Sequence, residues 1–294
     1  MDRRSFLGTV GAAVAGIPSV AHAARGGRSA PLGAAGSLRP AGAGLAMDKV
    51  GLQLYTIRDE MARSVERTLY EVGRIGYKEV EFAGYFDRPP RAIRQLLDRN
   101  GLKSPSAHVS LDTLRSGWYR TLNDASEIGQ KWLVVPWLAE KDRNSIDAIK
   151  ATAELMNRAA EDARTFRIKL AYHNHDFEFQ EVEGRRIFDV LLEETDPERV
   201  QVELDLYWIT KAGADPFAYF QRWPKRFPLV HVKDSAGPPD HAMTEVGKGT
   251  IDFAQIFARR EEAGIEHYYV EHDNPSDPMA SINTSYRYLK ALEV

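Results

Sequence analysis

Two histidines, an asparagine, an aspartate and a glutamate crowd the end of one short apolar run. Lys169-Leu170-Ala171-Tyr172 leads directly into His173-Asn174-His175-Asp176-Phe177-Glu178. An apolar run that turns polar at its C-terminal end reads as a buried parallel strand delivering side chains to a site. Three later runs behave the same way: Asp205 closes Val202-Glu203-Leu204, His231 sits inside Leu229-Val230-His231-Val232-Lys233, and Glu271 follows Tyr268-Tyr269-Val270. Taken singly, each is accounted for by a hydrogen-bonded core group. Four consecutive strands offering a carboxylate or an imidazole at one end match the way mixed oxygen and nitrogen ligands grip one divalent metal. Cysteine is absent, which excludes thiolate ligands, disulfide scaffolds and Cys nucleophiles.

Such residues converge only if the chain positions them. From Lys49 onward, short β-rich runs alternate with longer amphipathic stretches, the pattern of βα units on a parallel sheet. Strands are predicted over 50–55, 79–82, 104–109, 132–136, 168–174, 200–206, 229–233 and 267–271, with helices over 64–75, 90–100, 145–166, 252–263 and 277–291 among others. Gly76, Gly101 and Gly264 stand where helix C-terminal caps belong, and Asn144 and Asp252 where N-caps belong. Eight βα repeats predict a single-domain (β/α)8 TIM barrel, whose active site lies at the C-terminal ends of the strands. The first strand runs into Leu54-Tyr55-Thr56 without the Gly-rich turn of a dinucleotide fold.

The N-terminus reads differently. Arg3-Arg4 precede Phe6-Leu7, the apolar segment 7–20 is too short to span a bilayer, and Ala21-His22-Ala23 supplies a cleavage site. These features predict a twin-arginine signal over 1–23, the Tat export machinery as a partner, no stable membrane insertion, and a periplasmic or otherwise extracytoplasmic mature protein. Residues 24–47, rich in Gly, Ala and Ser, read as a flexible linker to a barrel over 48–294. A formal net charge of −3 gives no basic footprint for nucleic acid. The sequence leaves a homo-oligomer open.

The ordered set Gln53-Leu54-Tyr55, Val80-Glu81-Phe82, Ala107-His108-Val109, Tyr172-His173-Asn174-His175, Glu203-Leu204-Asp205, His231-Val232-Lys233-Asp234, Gly247-Lys248-Gly249-Thr250-Ile251-Asp252 and Val270-Glu271 resembles the xylose-isomerase-like barrel superfamily, and within it the sugar phosphate isomerase/epimerase group. The resemblance implies one divalent metal (Mn, Co, Zn or Mg), held by Glu, Asp, His and Glu from strands five to eight, and chemistry on a small carbohydrate. Carried over, Asp205, His231 and Glu271 take the last three ligand positions. For the first, His173 stands where many relatives have Glu, whereas Glu178 lies in the following turn and keeps the ligand charge. The resemblance leaves both open, as ligand and as catalytic group beside Glu271. Trp208 replaces a substrate-binding His of epimerase relatives and reads as an apolar wall for a sugar ring.

Around this core, His108, Trp137 and His175 are candidates to line the pocket. Lys233, two residues after His231, is a candidate to neutralise an oxyanion or to pair with an acid. Glu245 and the loop 247–249 are candidates to cover the site, the loop being a weak phosphate cradle without Walker spacing. Gln53 and Glu81 read as core hydrogen-bonding groups. The resulting expectation is an isomerase or epimerase that removes a proton next to a carbonyl and passes through an enediolate. A keto-sugar glycoside lyase or dehydratase shares that first step and is the alternative. A non-catalytic periplasmic sugar-binding protein is the alternative of another class.

Overall fold

The computed structural model describes residue 47 and residues 49–293. The predicted export signal lies outside the described residues, as does the linker apart from Met47. Within them, eight strands follow the predicted order: β1 Gly51–Gln53, β2 Glu79–Phe82, β3 Lys103–His108, β4 Trp132–Val135, β5 Lys169–His173, β6 Val200–Asp205, β7 Leu229–Val232 and β8 His267–Val270. Each pairs in parallel with its neighbours in sequence, and β8 closes onto β1, giving the (β/α)8 barrel. Among the described residues no helix is long and apolar enough to cross a membrane.

Element ends differ from expectation where side chains rewrite the backbone. β1 stops at Gln53 because its side chain accepts the N–H of Tyr55 at 3.0 Å and turns the chain into a 3-10 turn, Leu54–Ile57. The helix Ile146–Arg164 is capped by Ser145, whose Oγ accepts the Ala148 N–H at 3.1 Å, one residue later than the expected Asn144. Asp252 caps Phe253–Ala258 as predicted. That helix does not run on to 263: it breaks at Arg259, and a further turn, Arg260–Ala263, ends at Gly264 with φ of 85°.

Side-chain alternation decides what the barrel holds. Outward residues such as Leu170 and Tyr172 pack with the helices in the large core. Inward, Trp132, Val134, Ala171, Leu229 and Tyr269 form a separate apolar plug. Two residues further along β5, β7 and β8, the next inward positions are His173, His231 and Glu271. The plug therefore floors a polar layer whose groups are stable there only if they satisfy one another.

Candidate active site

The polar layer is a connected cluster. His231 sits at its centre, fully buried, with Nδ1 2.7 Å from Glu271 Oε2 and Nε2 2.8 Å from Glu81 Oε2 and 3.1 Å from Glu203 Oε2. His108 Nε2 reaches the same two carboxylates, at 3.1 Å from Glu81 and 2.9 Å from Glu203. His173 places Nδ1 3.2 Å from Glu203 Oε2 and Nε2 3.8 Å from Asp205 Oδ2. Glu81 is fixed from below by Gln53 Nε2, at 2.7 Å, and by the Ser106 hydroxyl, at 2.6 Å.

Toward the barrel mouth, Lys233 Nζ lies 3.1 Å from Asp205 Oδ2, 2.7 Å from Glu271 Oε2 and 3.0 Å from Asp273 Oδ1. Asp205 also caps the helix Leu206–Lys211: its Oδ1 accepts the N–H groups of Tyr207 at 2.9 Å and Trp208 at 2.8 Å. Its backbone N–H is received by Asn174 Oδ1 at 3.0 Å, which ties the ends of β5 and β6 together.

Charge sets the protonation of this cluster. Of its four buried carboxylates, Asp205 and Glu271 pair with the buried ammonium of Lys233, and Glu81 and Glu203 with the imidazoles of His108 and His231. Burial opposes the charged form of Asp205 and raises it to about 6 despite Lys233. Burial also opposes a cation at His108, but Glu81 and Glu203 outweigh it and raise the ring to about 9. His231 moves up for the same reason, between Glu203 and Glu271, and the carboxylates around Lys233 raise its ammonium. His173 is pushed well down, by burial first and by the neighbouring rings and Lys233 after it. His175, desolvated and facing Lys233, falls to about 3 and stays neutral.

A divalent cation fits this donor set. Ligand atoms of Asp205, His231 and Glu271 lie within 4.8 Å of one another, and so do those of His108, His173, Glu203 and His231. Glu203 Oε1 and His173 Nδ1 are buried without a hydrogen-bond partner, and Asp205 Oδ2 has the Lys233 ammonium at 3.1 Å in place of one. Buried acceptors of this kind are costly unless paired. A cation at the Asp205 end would also balance the excess of carboxylates.

The structure brings Asp205, His231, Glu271, His173, His108 and Lys233 together, but it places Glu178 elsewhere. The Tyr172 hydroxyl donates to Glu178 Oε1, and the His175 N–H donates to Oε2 at 2.7 Å. Tyr172 points outward from β5, so Glu178 belongs to the packing behind the strand and to neither group of ligand atoms. Burial raises its carboxyl from 4.5 to about 7, the Tyr172 and backbone hydrogen bonds opposing only part of the shift. Between these values the folded chain holds a proton that the unfolded chain has lost, so stability falls as pH rises from about 4.5 to about 7. Glu178→Gln is expected to flatten that stretch of a stability-versus-pH curve measured by urea denaturation; an unchanged slope would contradict the assignment.

The remaining candidates line the rim. His175 stacks on Phe177 with ring centroids 5.5 Å apart and meets Trp208 at 5.4 Å, while Lys233 Nζ lies 5.8 Å from the Trp208 ring. Trp137 is half-exposed, edge-on to Phe177 at 6.5 Å. Glu245 pairs with Lys248 at 3.3 Å. The N–H groups of the 247–249 loop serve the protein itself: Gly247 and Gly249 both donate at 2.9 Å to Asp234 Oδ2. Gly249 is required there, because a Cβ would stand 2.3 Å from Asp234 Oδ1. Three participants escaped the sequence reading: Glu203, Asp273 and Asn174. The signal for Glu203 was present, since a residue two before Asp205 in a strand shares its face.

A closed parallel barrel with carboxylates and imidazoles at its C-terminal mouth defines a class of enzyme scaffold. Residues 69–292 match the xylose isomerase-like TIM barrel family, and the chain belongs to it. It is 23% identical over 241 residues to an inosose dehydratase of Lacticaseibacillus casei, covering 70% of this chain and 80% of that one. An inosose dehydratase of Geobacillus kaustophilus is 25% identical over 240 residues, covering 66% and 75%. Among solved structures, a sugar phosphate isomerase/epimerase from Parabacteroides distasonis superposes with a TM-score of 0.75 at 27% identity, covering 87% of this chain and 96% of that one.

Proposed function

We propose that the chain is a divalent-metal-dependent lyase that removes the proton next to a carbonyl of a keto-polyol or keto-sugar and then expels a β-oxygen substituent. The observation that carries this reading is the pair formed by Glu271 and Lys233, 2.7 Å apart at the mouth of the barrel. Burial opposes the charge of Glu271, but Lys233 and His231 hold its carboxyl below the ordinary carboxylate range, so it is ionised. Lys233 keeps its proton and can donate it to a departing oxygen.

In this reading Glu271 takes the proton from the α-carbon, the electron pair moves to make the carbon–carbon double bond, and the β carbon–oxygen bond breaks. The leaving oxygen departs as water or an alcohol with a proton from Lys233. Asp205, His231 and Glu271 would hold the metal, with His173 beside them, and when bound it would supply a positive charge against which negative charge develops on the substrate oxygens. Trp208 and His175 supply an aromatic wall for the carbon face of the ring.

Elimination is favoured over epimerisation because returning a proton to the opposite face of the carbon asks for a second acid/base group across the site, and of the two candidates His173 stands beside the metal in this reading. Glu178, a candidate for that role, is bound behind β5 by Tyr172 and His175. The dehydratase relatives support the same outcome. Isomerisation or epimerisation is the second reading, favoured by the Parabacteroides relative. Mass spectrometry of a six-membered cyclic keto-polyol and of a 3-keto-glycoside, each incubated with metal-reconstituted protein, separates the two. Loss of water or of the aglycone supports the lyase, and a product of unchanged mass supports the isomerase. The Tat-dependent, extracytoplasmic location proposed from residues 1–23 is tested by fractionating cells that carry Arg3→Lys and Arg4→Lys together; continued export would exclude it.

A further inference from the structure

We propose that Glu203 is a positioning residue that turns His173 and His231 toward a single cation, making the ligand set His173, Asp205, His231 and Glu271. This rests on the metal reading above and goes beyond it by naming the first ligand and the group that orients it. Glu203 Oε2 is approached from three strands: by His173 Nδ1 at 3.2 Å, His231 Nε2 at 3.1 Å and His108 Nε2 at 2.9 Å. An imidazole carries its nitrogens on different edges, so the nitrogen turned to Glu203 decides where the other points. For His173 the other is Nε2, 3.8 Å from Asp205 Oδ2. For His231 it is Nδ1, 2.7 Å from Glu271 Oε2 and 4.0 Å from Asp205 Oδ2. Both rings thus present a nitrogen to Asp205 Oδ2, and His231 presents its own to Glu271 as well.

The remaining atoms agree. Asp205 spends Oδ1 on two backbone N–H groups, and its buried Oδ2, 3.1 Å from the Lys233 ammonium, faces both rings. His173 Nδ1 is close to Glu203 but not aligned for a hydrogen bond, so the ring must turn slightly to donate. Glu81 supports His231 at 2.8 Å and His108 at 3.1 Å, whereas Glu203 Oε2 comes within 3.2 Å of His173 and 3.1 Å of His231, nearer to both rings than Asp205 Oδ2 does at 3.8 and 4.0 Å. An acceptor behind a ligating histidine fixes its tautomer and raises its basicity, and removing it costs about 10–100-fold in metal affinity. Two imidazoles and two carboxylates form a borderline donor set, which favours zinc or cobalt over magnesium.

Cobalt(II) chloride titrated into the metal-stripped full chain tests this, read by calorimetry and by the paramagnetically shifted, solvent-exchangeable imidazole N–H signals in proton NMR. The expected result is two such signals, loss of one in His173→Gln, and an affinity about 10–100-fold weaker in Glu203→Gln, partly restored in Glu203→Asp. Magnesium is expected not to displace the cobalt. A merely structural Glu203 would lower the melting temperature of Glu203→Gln and leave cobalt affinity at the wild-type value, which overturns the proposal. Two signals that both survive His173→Gln overturn it as well. Outright loss of cobalt in both Glu203→Gln and His108→Gln would make those residues ligands of a deeper site and also overturn it. Failure of the wild-type chain to bind cobalt would sink the metal reading of the proposed function along with this one, whereas the variant outcomes bear on the roles of Glu203 and His173.

Discussion

Replacing Glu271 with glutamine lowers kcat/KM by on the order of 10³, within the range lost when a positioned general base is removed. Glutamine keeps the shape and one acceptor oxygen, so the contacts from His231 at 2.7 Å and Lys233 at 2.7 Å have a partner to replace the carboxylate. What disappears is the capacity to take a proton at the reacting carbon and one anionic ligand for the cation. The variant is therefore expected to fold, to bind cation more weakly, and to remain slow at saturating metal. Steady-state kinetics across a metal titration separate these effects. Recovery of wild-type kcat at high metal would mean that Glu271 is only a ligand, and the base would have to be sought elsewhere.

Lys233→Met is expected to produce the largest change in stability. Among the described residues Lys233 is the only buried ammonium in contact with Asp205, Glu271 and Asp273, and methionine fills much of its volume without its charge. Removing one partner of a buried ion pair costs about 3–5 kcal/mol because the others are left unpaired. For a chain of this size that lowers the melting temperature of the metal-stripped protein by roughly 10 °C. With no ammonium competing for Asp205 and Glu271 the variant should bind the cation more tightly, and each tenfold gain in affinity over wild type narrows the gap at saturating metal by about 1.4 kcal/mol. Thermal melts of both proteins with and without zinc measure this. A gap that metal leaves untouched would separate Lys233 from the cation site. Turnover should stay low in the metal-loaded variant, because the proton donor to the leaving oxygen is gone.

The barrel was legible because its signal is repeated: eight apolar runs at similar spacing, separated by amphipathic stretches, leave few other topologies. Strand and helix ends were less so, since the side chains that set them act locally. Gln53 ends β1 by capping its own turn, and Ser145 competes with Asn144 for one helix start. Asp205, His231 and Glu271 stood out as polar residues at apolar strand ends. Glu203 did not, although it shares a strand face with Asp205, because it lies two residues deeper in the run; only the closure of the barrel brings it beside three histidines. Glu178 was harder still. Its distance in sequence from His173 allows a turn to swing it inward or outward, and the outward-facing Tyr172 hydroxyl decides the matter.

Proton NMR of a keto-polyol or keto-glycoside substrate turned over in deuterated water tests the central claim most directly. The α-proton is expected to be lost to solvent and water or aglycone to be released, and Glu271→Gln is expected to do neither at an appreciable rate. Conversion of the substrate with its α-hydrogen retained in the product would contradict that claim.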